Sequence, residues 1–188
     1  MPKCTVLLID LQRDFLDLER GRMPVSASGA KAVLRVANDV LTLRILVGAL
    51  PLLVVNAFPR TARLANFFLK GAAIIGSAGA ELDGRLERSG SERVFTKAHP
   101  SAFSNPELER YLRANGVQDI HVLGVFAEGC VRATAVEAVK RGYTVHVIAD
   151  AVASNAAWKK AFALWVMARA GAEILPSVVA PGAERAGA

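Results

Sequence analysis

Cysteine is almost missing from this chain. Its two copies, Cys4 and Cys130, cannot build a disulfide framework, so the fold has to stand on a packed core. Aromatic residues are scarce too, at 6%, and none is interleaved with a stripe of lysine or arginine. Single-stranded nucleic acids are held by that pairing of stacking platforms with a basic track. Its absence argues against a nucleic-acid partner, although the net charge is +6. The basic residues are scattered instead, mostly as arginines on predicted helix faces (Arg35, Arg44, Arg110, Arg113, Arg132). There a positive surface would serve at most to steer anionic substrates.

Long apolar runs are also absent. The one membrane candidate, Leu41 to Phe58, is interrupted by Arg44, Gly48 and Pro51, and its unbroken part is too short to span a bilayer. The opening Met-Pro-Lys-Cys leads straight into an apolar strand, without the charged, apolar and small-residue layout of a secretory signal. These absences lead to the expectation of a cytoplasmic protein without a membrane partner.

What is present is a large reserve of core. Hydrophobic residues make up 53% of 188 positions, which suits one domain over residues 1–188 and excludes disorder. Residues 181–188 are rich in alanine and glycine and read as a frayed tail. Short apolar runs alternate with helical patterns, the signature of parallel strands joined by crossover helices. The runs are Thr5–Ile9, Leu52–Asn56, Arg93–Thr96, Ile120–Gly124, Thr144–Ile148 and Glu173–Leu175. Several are apolar throughout, as strands covered on both faces are. The expected fold is therefore α/β: a three-layer, doubly wound, Rossmann-like sheet of about six mainly parallel strands.

Helices fill the intervals. From Gly29, the residues Val33, Val36, Ala37, Val40 and Leu41 share one face. Asn105-Pro106 supplies a cap and a first-turn proline for a helix that Gly116 ends. A helix from Val131 carries Ala135, Ala138 and Val139 and closes at Gly142. In the last one, Trp158, Ala161, Phe162 and Trp165 share a face that the pattern assigns to the core. The interval from Phe58 to Ser91 is too long for a simple connection and reads as partly helical and partly a site-shaping loop.

Ligands of open parallel sheets bind beyond the carboxyl ends of the strands. Three ionisable residues stand at such ends: Asp10 after Val-Leu-Leu-Ile, Lys97 after Arg-Val-Phe-Thr, and Cys130 a short turn after His-Val-Leu-Gly-Val, at the start of the next helix. A carboxylate there often caps a loop, a lysine is often solvated and a cysteine is often inert. Together, however, they make a coherent set. A thiolate is the attacking form of cysteine, and both a helix amino terminus and an ammonium stabilise it. Lys97 would supply the ammonium, Asp10 would take the proton, and backbone N–H groups around Phe126–Cys130 would face an oxyanion. On this reading Cys130 alkylates near neutral pH.

The order of these segments resembles the isochorismatase-like cysteine hydrolases from about Thr5 to Pro176. Leu-Leu-Ile-Asp-Leu-Gln-Arg-Asp-Phe at residues 7 to 15 is similar to the family's first strand with its catalytic aspartate. Gly76-Ser-Ala-Gly-Ala-Glu-Leu82 resembles its glycine-containing turn, and Lys97-Ala-His-Pro-Ser-Ala-Phe103 the stretch with the catalytic lysine. Gly124-Val-Phe-Ala-Glu-Gly-Cys-Val131 with Ala133-Thr134-Ala135 resembles the nucleophile loop and its helix. Gly142-Tyr-Thr-Val and Asp150-Ala-Val-Ala-Ser154 complete the pattern.

The resemblance implies an Asp10–Lys97–Cys130 catalytic triad, a non-proline cis peptide between Val125 and Phe126, and an oxyanion hole from the N–H groups of Phe126 and Cys130. It also implies Gln12, Phe15 and Phe103 as pocket walls, with His99 a substrate contact, and a homo-oligomer, dimer or higher. Glu128 is read first as capping the helix start, and otherwise as a polar anchor for substrate.

The departures matter as well. Nicotinamidases of the family carry Asp-x-His-x-x-His after the second strand, where this chain reads Asn56-Ala-Phe-Pro-Arg-Thr61, and His99, His121 and His146 have no ligand spacing. No metal and no other cofactor is expected. Phe126 and Ala127 replace smaller or hydroxyl-bearing residues. Members that open the vinyl ether of isochorismate generally lack the cysteine, so Cys130 points to a small amide or carbamoyl substrate. Ether hydrolysis with Asp10 as the acid, a ligand-binding or scaffold protein without turnover, and a thiol-redox protein stay open as alternatives.

Overall fold

The computed structural model describes residues 3–42, 46, 48–62, 67 and 69–177. The tail at 181–188 lies outside them. Six parallel strands form one sheet in the order β3-β2-β1-β4-β5-β6. They are β1 Lys3–Ile9, β2 Leu50–Asn56, β3 Arg93–Lys97, β4 Val117–Val125, β5 Thr144–Ala153 and β6 Glu173–Leu175. The order reverses direction at β1, so the crevice of a doubly wound sheet falls between β1 and β4.

Both faces of the sheet are covered, which is why its strands are apolar throughout. Val6 and Leu8 point to one core and Leu7 and Ile9 to the other, all fully buried. The first core lies under the short α1, Arg13–Leu16, and under α2, Ala27–Leu41, whose Val33, Val36, Ala37, Val40 and Leu41 are buried as the helical spacing requires. Ser26 caps this helix by accepting the Gly29 N–H at 3.2 Å, and its own N–H goes to the Ser154 carbonyl at 3.0 Å. The second core is closed by α3, Pro106–Ala114, α4, Arg132–Lys140, and α5, Ala157–Arg169. Asn105 caps α3 through the Glu107 N–H at 2.9 Å, with proline in the first turn.

One expectation changes. The aromatic face of α5 does not enter the core: Trp158, Phe162 and Trp165 are 70%, 53% and 59% exposed, while Ala163 and Met167 make the inward contact. Periodicity identifies the residues that share a helix face but not which way the face turns. Here the small residue is the one that allows close approach to the sheet. Between Phe58 and Ser91, the described residues include the helical Phe67, the 3-10 turn Ala78–Ala80 and parts of the isolated bridges Gln12↔Leu82 and Phe58↔Ile74. Among the described residues no helix is long and apolar enough to cross a membrane.

Candidate active site

Strand order places the polar residues of the crevice. β2 lies between β1 and β3, so the side chain ending β2 stands between those that follow β1 and end β3. That residue is Asn56, the register partner of Lys97. Lys97 Nζ donates to Asn56 Oδ1 at 2.7 Å and to Asp10 Oδ2 at 3.0 Å. Asn56 Nδ2 donates to the same Asp10 oxygen at 2.7 Å and lies 3.6 Å from Cys130 Sγ. The side chains of Lys97 and Asp10 are 0% and 2% exposed, so the pair is fully withdrawn from solvent.

Backbone geometry aims these groups. Asp10 leaves β1 with φ +56°, in the left-handed region that aspartate tolerates better than most residues. Its N–H still reaches the Val54 carbonyl at 2.8 Å. Gly124 lets β4 pass close to β1: it has φ +127°, and a Cβ there would stand 2.1 Å from the Ile9 carbonyl oxygen. After β4 the Val125–Phe126 peptide is cis.

Cys130 does not begin a regular α-helix, as the sequence suggested, but sits in one wide π-type turn, Ala127–Val131, kinked at Gly129 with φ −105° and ψ −107°. Such turns recur at functional sites. The Phe126 carbonyl accepts the Gly129 and Val131 N–H groups at 3.0 and 3.2 Å, passing over that of Cys130.

Burial dominates the electrostatics. Burial pushes the Asp10 carboxyl up from its ordinary value, against the lowering pull of Lys97 and the Cys130 thiol. Burial draws the Lys97 ammonium down, but the Asp10 carboxylate and Cys130 outweigh it and hold the net value above the usual one. The Cys130 thiol is pushed up to about 12, by burial first and by the Asp10 carboxylate second, against a smaller lowering from Lys97. Burial and the carboxylate thus act against the helix start and the lysine, which the sequence suggested as stabilisers of a thiolate. The loss of water and the acidic neighbour outweigh the ammonium in this balance. One oxygen, Asp10 Oδ1, is buried without a hydrogen-bond partner among the described residues.

These groups open on a cavity of about 300 Å³, whose polar lining is Asp10, Asn56, Cys130, Glu128, Asn155 and Lys159. Phe15, Met23, Phe58, Leu69 and Phe126 give it apolar walls, with Phe15 edge-on to Phe126 at 5.7 Å between ring centres. Of the residues named from sequence, Asp10, Phe15, Phe126, Glu128 and Cys130 line it, and the buried Lys97 lies behind Asp10 and Asn56.

Three others are elsewhere. Gln12 is buried, its amide clamped on the Asn56 backbone (Nε2 to O at 2.7 Å, Oε1 from N at 2.8 Å) and on the Ala80 carbonyl at 2.7 Å. Phe103 stacks on Tyr143 within the second core. His99 is exposed, and the neighbouring Pro100 meets the cavity instead. Glu128 makes no cap: Phe126 occupies the cap position, and Glu128 Oε1 accepts the Ser154 hydroxyl at 2.9 Å.

Asn56 and Asp14 escaped the sequence reading. Asn56 carries no charge, and its position drew notice only for the histidines it lacks. Asp14 is buried, accepts the Ala73 and Arg22 N–H groups at 2.8 and 3.2 Å, and leaves no room for a Cβ at Gly79. The Asp14–Phe15 and Gly79 motif fragments, read together, were the available signal.

Comparison with known proteins agrees with this architecture. The family model "Isochorismatase domain" matches residues 4–177. An Arabidopsis thaliana protein named a probable inactive nicotinamidase is 31% identical over 159 residues, 79% of this chain and 80% of that one. The nicotinamidase/pyrazinamidase of Mycobacterium tuberculosis is 34% identical over 113 residues, covering 55% of this chain and 61% of its own. Among solved structures, the pyrazinamidase of Pyrococcus horikoshii in complex with zinc superposes with a TM-score of 0.79 at 28% identity, over 93% of this chain and 99% of that one. Aligned stretches span from 48% to 80% of the first curated relatives' own lengths.

Asn56 is committed to Asp10 and Lys97, and among the described residues no three His, Cys, Asp or Glu side chains stand together as metal ligands.

Proposed function

Because the chain belongs to the isochorismatase family, we propose that it hydrolyses the C–N bond of a small amide or carbamoyl compound, with Cys130 as nucleophile, Asp10 as proton carrier and Lys97 as the stabilising cation. One observation carries this reading: a fully buried carboxylate–ammonium pair, tied by Asn56, meets a thiol on the wall of a ligand-sized cavity. Burying an ion pair without a chemical use is costly, and perturbed ionisable groups in a cleft mark reaction centres.

At pH 7 a free thiolate from a group titrating near 12 would cost on the order of 7 kcal/mol, so proton loss and attack belong to one event. The thiol proton passes to Asp10, whose raised pKa suits a base, while sulfur bonds to the carbonyl carbon and the C=O electron pair moves onto oxygen. Asn56 and Lys97 both hold Oδ2, which leaves Oδ1 for that proton. The N–H groups of Phe126 and Cys130 receive the oxyanion, each worth about 3 kcal/mol in sites of this type. Collapse breaks the C–N bond, and the amine departs with the proton from Asp10. Water, deprotonated by Asp10, then cleaves the thioester, and the proton returns to sulfur.

The contrary reading, a member that keeps the fold without turnover, draws support from the name of the Arabidopsis relative and from the protonated resting thiol. Ether hydrolysis with Asp10 as acid would leave Cys130 idle. An ammonia-release screen over small amides and ureido compounds, run beside Cys130→Ala, separates the three. Ammonia from the wild type alone supports the covalent reaction. Ammonia from both proteins, or from neither, contradicts it.

A further inference from the structure

The cavity continues past the reacting groups along the carboxyl edge of the sheet. Asp10 follows β1, and Asn56 and Lys97 end β2 and β3, whereas Cys130 and Glu128 share the turn after β4, and Ser154, Asn155 and Lys159 come after β5. A substrate whose carbonyl met Cys130 from the Asp10 side would pass between the apolar walls toward a second polar group, Glu128, Asn155 and Lys159, which lines the same cavity.

The second group is unevenly satisfied. Glu128 Oε1 accepts the Ser154 hydroxyl at 2.9 Å and faces Lys159 Nζ at 3.9 Å. Lys159 is itself bonded to Asn155 Oδ1 at 3.0 Å and keeps about a third of its side chain in solvent, which serves its remaining donors. Glu128 Oε2 is buried and has no hydrogen-bond partner among the described residues. A buried acceptor without a donor is costly, and a ligand that brings the donor removes the cost. Ser154 and Lys159 fix the carboxylate from one side only, so the unmet need is for a donor and not for an anion.

We propose that Glu128 is the specificity-determining residue of the site, and that the substrate is a small amide with an apolar middle and an N–H or ammonium group at the end remote from the scissile bond. This deepens the amide-hydrolase reading and rests on it for the meaning of the word substrate, though the binding preference stands on Glu128 alone. A cavity of about 300 Å³ is at the small end of ligand sites, which limits the molecule to a few carbons between its two polar ends.

Three probes of matched length test this: 5-aminopentanamide, pentanamide, and the monoamide of glutaric acid. Their binding to full-length Cys130→Ala, which cannot form a thioester, is measured by calorimetry, then repeated with Glu128→Gln added. The expected result is tighter binding of the amine than of the methyl-ended amide by about tenfold or more, with the carboxylate weakest. Glu128→Gln, which keeps the shape and removes the charge, should bring the amine-to-methyl ratio close to one. Equal binding, no binding of any probe, a ratio unchanged by Glu128→Gln, or preference for the carboxylate, which would hand the anchor to Lys159, overturns the proposal. Turnover of the same probes by the wild type is read separately. If the amine is preferred but nothing is hydrolysed, the hydrolase reading fails and the anchor stands.

Discussion

Asn56 and Lys97 are register partners at the ends of adjacent strands, joined by a 2.7 Å hydrogen bond that leaves the amide's N–H₂ for Asp10 and the Cys130 sulfur. One neutral side chain thus touches a carboxyl, an ammonium and a thiol. Asn56→Ala should lower kcat by about 10- to 100-fold, since it releases Asp10 Oδ2 and lets the base turn away from the thiol. KM should change less, because the apolar walls remain. Steady-state kinetics on any amide that the wild type hydrolyses checks both.

Removing one member of the buried pair should cost more stability than removing both. Lys97→Met leaves the buried Asp10 carboxylate without its cation, a loss of about 3–5 kcal/mol. Asp10→Asn combined with Lys97→Met should recover much of it. Urea unfolding of the two single variants and the double variant measures the coupling.

The raised thiol pKa makes a statement about stability at high pH. The folded chain holds the Cys130 proton up to about pH 12, while an exposed thiol gives it up near 9.0. The favourable contribution is complete below pH 9 and drains away as the pH climbs toward 12. Between pH 8 and pH 11 the wild type should lose about 3 kcal/mol more than Cys130→Ala. The same protonation makes the resting thiol slow to alkylate. At pH 7 iodoacetamide should modify Cys130 roughly a thousandfold more slowly than an exposed cysteine, read by peptide mass mapping.

Gly124→Ala should be among the most damaging small substitutions. Its φ of +127° disfavours any side chain, and the new Cβ would press on the Ile9 carbonyl 2.1 Å away. Relief means parting β4 from β1, the strands that carry Cys130 and Asp10. A loss of about 3 kcal/mol or more is expected in urea unfolding.

Much of this was legible because the physics is local. Strands buried on both faces read as apolar runs, and six of them were placed within a few residues. Ionisable residues directly after such runs stand out, which is how Asp10, Lys97 and Cys130 were found. Asn56 was hidden because an amide advertises no charge. Gln12 was seen but misread: in sequence a buried strut and a pocket wall look alike. The exposed Trp158, Phe162 and Trp165 mark the other limit, since helical spacing records a shared face without its direction. The pKa of Cys130 depends on burial and on an aspartate far away in the chain, neither of which spacing encodes.

The central claim is a covalent bond to Cys130, and its most direct test is rapid acid quenching during turnover of the best amide from the screen, followed by peptide mapping. An acyl group on the Cys130 peptide, absent from the Cys4 peptide, is the result expected. Sustained ammonia release by Cys130→Ala at the wild-type rate, with an unmodified Cys130 peptide in the wild type, would contradict it.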